Sequence, residues 1–147
     1  MHRNEVTELI IENKLKKGVK WEDIGKAIGL SKEWVTAGCL GQMTFSAEQA
    51  KTVGAMLDLP EAAIAQLQVV PYKGSLPSSV PTDPLIYRFY ELIMVYGTTI
   101  KELIHEEFGD GIMSAIDFSM DISRLPDPKG DRVKIILNGK FLPYKTY

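Results

Sequence analysis

PTDPLIYRFYELIMVYGTTIKELIHEEFGDGIMSAIDF, residues 81–118, is the stretch on which the reading of the fold turns, because two periods meet inside it. Leu85, Phe89, Leu92 and Tyr96 recur at spacings of three and four, widened by Ile86, Tyr90 and Ile93, which is the apolar stripe of an amphipathic helix. Asp83 stands where an N-cap belongs, and Pro84 falls at the first helical position, where a missing N–H costs nothing. Gly97 is expected to end this helix. Thr99-Ile-Lys-Glu102 reads as a capping box that opens a second, shorter helix burying Ile100, Leu103 and Ile104 and stopping at Gly109. Phe108-Gly-Asp-Gly111 then breaks the chain, and after Ser114 the period falls to two. Phe118, Met120 and Ile122 alternate with Ser119, Asp121 and Ser123, as in a half-buried strand.

Downstream, LPDPKGD is a turn, and Arg132–Leu137 and Lys140–Tyr144 flank Asn138-Gly139, a strong two-residue hairpin signal. The C-terminal part is therefore predicted as a small α+β domain of two helices and three short strands. Roughly seventy-five residues of this kind bury too little surface to be stable alone, and an obligate oligomer is expected.

Upstream, PYKGSLPSSVP (residues 71–81) has no apolar periodicity and reads as a linker. It separates an expected helical domain, residues 1–70, from an expected oligomerisation domain, residues 82–147, which holds the candidate site. In the first domain Val6, Leu9 and Ile10 mark a helix that ends at Lys16-Lys17-Gly18. Trp21–Ile28 forms the next, and Ser31 caps a third that begins at Lys32. Ser46-Ala-Glu-Gln49 opens a fourth over Ala50, Val53 and Leu57, and Pro60 precedes a fifth, Glu61–Gln68. Two short helices joined by a tight turn within a five-helix bundle make a helix-turn-helix (lambda-repressor-like) arrangement.

That arrangement suggests a DNA-binding regulator with a ligand-sensing C-terminal domain as one function. Charge argues against it. Residues 1–70 carry eight Lys/Arg against nine Asp/Glu, residues 71–147 carry nine against ten, and neither half offers a basic face for phosphates. The candidate recognition helix, KEWVTAGCLGQ from Lys32, has one lysine and no arginine to reach base edges. A docking module is the better reading, with no nucleic acid as partner. The single cysteine, Cys39, allows no intrachain disulfide and reads as a small buried hydrophobe. His2 and His105 form no cluster with metal-ligand spacing, so no metal site is expected. No apolar run reaches membrane-spanning length, and MHRNEVTELI lacks the apolar core of a signal peptide; a cytoplasmic location is expected.

The polar residues of 81–118 admit two readings. Arg88 and Glu91, three apart on a helix, are most often a solvated pair, and a serine after a glycine turn is most often a cap. His105 reads as solvated. If Arg88, Glu91 and Ser114 form a site, the chemistry is narrow. No histidine is placed to activate Ser114 for acyl transfer, and no phosphate-cradling glycine loop is present. What remains is an anion site: Arg88 as a permanent planar cation, Ser114 as a neutral donor, and Glu91 orienting the arginine or handling a proton.

YRFYE (Tyr87–Glu91), VYGTT (Val95–Thr99), HEEFGDGIMSAIDF (His105–Phe118) and NGKFLPYK (Asn138–Lys145) resemble the cyanase family, also called cyanate hydratase or cyanate lyase. LGQ (Leu40–Gln42) and the WEDIGKAIGLS turn are more loosely similar to the family's helical domain. The resemblance implies a lyase that converts cyanate and bicarbonate to ammonia and carbon dioxide through carbamate, without metal or organic cofactor. It implies that Arg88, Glu91 and Ser114 are catalytic, with Arg88 and Ser114 binding the anions. It further implies a C-terminal domain that dimerises by intertwining, and a homodecamer of five dimers with shared sites.

Overall fold

The computed structural model describes residues 1–74 and 78–146. The chain divides into two compact units, Met1–Ser75 and Leu76–Tyr147. Of the expected linker, residues 75–77 lie outside the described residues, and the flanking 71–74 and 78–81 carry neither helix nor strand.

The first unit is a bundle of five helices: α1 (Arg3–Lys17), α2 (Trp21–Ile28), α3 (Lys32–Cys39), α4 (Ala47–Met56) and α5 (Glu61–Leu67). Local chemistry sets their ends. Gly18 and Gly29 take left-handed conformations after α1 and α2, a region that residues with a β-carbon rarely adopt. Ser31 Oγ accepts from the Trp34 amide and Ser46 Oγ from the Gln49 amide, and Gln49 returns a bond to the Ser46 N–H. The core joins Val6 and Ile10 of α1 to Ile24, Val35, Cys39, Val53 and Leu57, with Phe45 set edge-to-face on Trp34. Arg3 adds a polar staple: Nη1 donates to the Gln66 carbonyl at 2.7 Å, and Nη2 to those of Gly38 and Met43, both at 2.9 Å. One side chain thereby adds a second donor to the Gly38 and Gln66 carbonyls near the ends of α3 and α5, which also accept the Gly41 and Val69 amides.

The second unit is one long helix, α6 (Pro84–Phe108), and a two-stranded antiparallel hairpin of β1 (Gly111–Leu125) and β2 (Arg132–Pro143). Asp83 caps α6 as expected, its Oδ1 accepting the Leu85 and Ile86 amides at 3.0 Å. Two expectations are corrected here. Gly97 does not end the helix: the apolar stripe holds its phase from Phe89 through Ile93, Tyr96, Ile100 and Leu103, and this outweighs the roughly 1 kcal/mol cost of an internal glycine. Asn138-Gly139 is not a turn but lies inside β2, where Gly139 pairs with Phe118 and Asn138 with Ser119. The reversal occurs at residues 126–131 alone, so two long strands replace three short ones.

The register is broken once. Met113 pairs with Phe141 and Phe118 with Gly139, so residues 114–117 of β1 stand opposite Lys140 alone, as a bulge. Unlike the first unit, this one adds no residue to the buried hydrophobic core among the described residues. Among the described residues none of α6 is buried, and Leu85, Ile93, Met94, Val95 and Leu103 are each more than half exposed. Among the described residues of this unit, those buried are Gly111 and Ser114 of β1.

Candidate active site

Arg88 and Glu91 fall on one face of α6 because i and i+3 positions are neighbours on a helix. Arg88 Nη1 lies 3.2 Å from Glu91 Oε2, and the pair lines an open concavity with Tyr87, Leu92, Val95 and Tyr96. Tyr87 and Tyr90 stack at 5.9 Å beside it. Both charged side chains are largely solvated, at 68% and 45% exposure, so in a single chain the pair contributes little to stability.

Ser114 is built differently. It opens the β1 bulge and is 7% exposed, and its Oγ accepts the Ile116 amide at 3.1 Å and the Asp117 amide at 2.9 Å. These i+2 and i+3 contacts are those of a capped turn, and they leave the hydroxyl proton free for an acceptor outside it. The β2 strand crosses close beneath: a β-carbon at Gly139 would stand 2.3 Å from the Ser114 carbonyl oxygen.

His105, expected to be solvated, is instead half-buried. Its Nε2 lies 3.1 Å from the Gly111 carbonyl and its Nδ1 3.5 Å from Asp110 Oδ1. Phe108 packs on Phe141 at 5.2 Å, and the Tyr144 amide donates to the Asp110 carbonyl, so the end of α6 is tied to both strands. Sequence reasoning missed this tie and the place of Gly139. Asn-Gly, read as a turn, was the only available signal for the latter.

Arg88 and Glu91 meet, but among the described residues Ser114 does not line their concavity. No hydrogen bond joins Ser114 to Arg88 or Glu91 among the described residues. Arg88 precedes the end of α6 by twenty residues, or about 30 Å at the helical rise. Ser114 follows that end by six residues, at most about 22 Å of chain, so even a strand laid straight back leaves the two Cα atoms no nearer than about 8 Å.

Cys39, expected to be a buried hydrophobe, is fully buried, and burial pushes its thiol up to about 12 against the opposing pull of Arg3. Burial likewise lowers the pKa of Arg3, with Cys39 opposing. The lysine of α3, Lys32, is paired with Glu33 at 3.2 Å, and Val35, Gly38 and Cys39 face the core. The helix that would read DNA thus offers no cationic face. Among the described residues no three His, Cys, Asp or Glu side chains gather where they could hold a metal, and no helix is long and apolar enough to cross a membrane.

A helix-turn-helix-type bundle followed by an exposed helix and bulged hairpin defines an α+β protein of a particular, two-part kind. The comparisons say which. The cyanate lyase C-terminal domain matches residues 78–146, and the cyanate hydratase N-terminal domain matches residues 3–71. Cyanate hydratases from Polaromonas sp. and Polynucleobacter asymbioticus are each 71% identical over 147 residues, the whole of both chains, and that from Dechloromonas aromatica is 69% identical over the same span. A crystal structure of cyanase from T. urticae superposes with a TM-score of 0.82 at 36% identity, covering 94% of this chain and 96% of that one. The chain belongs to the cyanate hydratase family, whose members are lyases.

Proposed function

We propose that this chain is a bicarbonate-dependent cyanate hydratase acting as an assembly of copies, and that Arg88, Glu91 and Ser114 form its catalytic set. The supporting observation is the incompleteness of the second unit. Its apolar helix is open along its length, and among the described residues no hydrogen bond joins its cation to its buried serine. A site drawing Arg88 from one chain and Ser114 from another answers both facts, and a decamer of five intertwined dimers is the assembly proposed.

The chemistry begins with two monoanions. Brought to about 4 Å they repel by about 4 kcal/mol at an effective dielectric near 20, roughly a thousandfold in rate. Arginines gathered from neighbouring copies offset that repulsion. A bicarbonate oxygen forms a bond to the cyanate carbon, and the bicarbonate proton passes to nitrogen, giving a dianionic adduct. The bond from the bridging oxygen to the former bicarbonate carbon then breaks, releasing carbon dioxide, and one further proton completes carbamate. Carbamate takes up a last proton and falls apart to ammonia and a second carbon dioxide.

Arg88 neutralises the anions through its planar fork, Ser114 donates its hydroxyl proton to one of them, and Glu91 holds Arg88 in position. Neither metal nor organic cofactor enters this scheme, and bicarbonate is a co-substrate. A cytoplasmic location and a role in cyanate detoxification and nitrogen metabolism accompany the proposal. Ammonia release from cyanate by the purified protein, rising with bicarbonate, is the expected result; no ammonia at saturating bicarbonate would overturn it.

A further inference from the structure

We propose that Gly139 is a positioning residue for Ser114, a role that rests on the placement of Ser114 in the active site. Three observations converge on it. The bulge of residues 114–117 faces a single residue of β2, Lys140, and re-enters register where Phe118 pairs with Gly139. Within the bulge Ser114 Oγ is pinned by the Ile116 and Asp117 amides, so the direction of its O–H depends on the path of this short backbone loop. That loop lies so close to β2 that a β-carbon on residue 139 would meet the Ser114 carbonyl oxygen at 2.3 Å and Met113 Cγ at 2.6 Å.

The first of those neighbours is backbone and cannot swing aside. Any side chain at residue 139 pushes the Ser114 peptide outward, carrying with it the two amides that fix the hydroxyl. Glycine is required here for approach, since Gly139 is not among the positive-φ residues. Gly139 touches neither substrate in this account; it acts only through Ser114.

The test is a double-mutant cycle on the full-length protein, reading kcat/KM for bicarbonate-dependent ammonia release together with solution mass. Gly139→Ala alone is expected to lower kcat/KM about tenfold or more. In a Ser114→Ala background the same change is expected to cost less than about twofold, because the group it misplaces is already gone. Losses that multiply would mark a general structural effect and overturn the proposal. Ser114→Ala at the wild-type rate would overturn the role of Ser114 itself, and this proposal with it. Ser114→Ala slow beside Gly139→Ala at the wild-type rate would leave Ser114 standing and remove Gly139 alone. If Gly139→Ala does not assemble, Met113→Ala/Gly139→Ala clears the side chain in the way. It is expected to assemble and remain slow against Met113→Ala. Recovery of the Met113→Ala rate, or failure of the double variant to assemble, would overturn the positioning role.

Discussion

Arg88 Nη1 stands 3.2 Å from Glu91 Oε2, less than one helical turn further along α6, and both side chains are open to solvent in the single chain. An exposed pair of this kind contributes about 0–1 kcal/mol to folding, so its removal tests function cleanly. Arg88→Ala is expected to lower turnover on the order of a thousandfold while the melting temperature stays within a few degrees, since the lost group is the one that offsets anion repulsion. Arg88→Lys, which keeps the charge without the planar fork, is expected to fall between. Ammonia release and thermal unfolding measured side by side decide the point, and an unimpaired Arg88→Ala enzyme would mean that the anions bind elsewhere.

Ser114 makes a prediction that needs no substrate. Its Oγ takes the amides of Ile116 and Asp117, which lie in the bulge outside the regular ladder. In Ser114→Ala those two amides are expected to exchange with deuterium at least about tenfold faster, for the loss of about 1–3 kcal/mol of local protection. Amides of the regular ladder at Ile122 and Ile135 serve as the reference. Unchanged exchange at residues 116 and 117 would show that the bulge is held by its neighbours and not by the hydroxyl.

The two units are expected to differ sharply when cut apart. Among the described residues all twelve core hydrophobics lie between Val6 and Leu67, so a fragment of residues 1–74 should fold as a helical monomer with a cooperative melt. A fragment of residues 78–147 should be either assembled or unfolded, with no stable monomer at any concentration. Sedimentation and far-UV circular dichroism across a dilution series read both outcomes. A folded monomer of the C-terminal fragment would contradict the reading of α6 as an interface helix.

Alkaline pH should loosen the first unit. Burial raises the Cys39 thiol from an ordinary 9.0 to about 12 in the folded chain. Above pH 9 the unfolded chain therefore binds fewer protons than the folded one, and stability falls as pH rises through this window. The contribution is complete below pH 9 and lost by about pH 12, amounting to about 4 kcal/mol at most. Urea midpoints of wild type and Cys39→Ala compared between pH 8 and pH 11 should converge if the thiol is responsible. The same burial predicts that the native protein resists thiol reagents until it is unfolded.

How much of this was legible beforehand depended on whether a signal was local. The five short helices were readable because their ends are written in neighbouring residues, such as Ser46 with Gln49 or Lys17 with Gly18. Gly97 and Asn138-Gly139 misled for the opposite reason. Each is a local stop signal overruled by a longer pattern, the unbroken phase of α6 in one case and the pairing of β2 with β1 in the other. Arg88 and Glu91 could be placed together from spacing alone, since a helix makes neighbours of i and i+3. The two amides on Ser114, the tie from His105 to Gly111 and the approach of Gly139 are products of chain crossing, and spacing along the sequence does not encode them.

The distance between Arg88 and Ser114 along their own chain has a genetic corollary. If one site takes its arginine and its serine from different copies, two dead proteins can mend each other. Arg88→Ala chains still carry a sound serine, and Ser114→Ala chains a sound arginine. Unfolded together and reassembled, the two should regain activity that neither shows alone. The same logic makes a damaged chain harmful beyond itself, because it spoils the sites of its neighbours as well as its own.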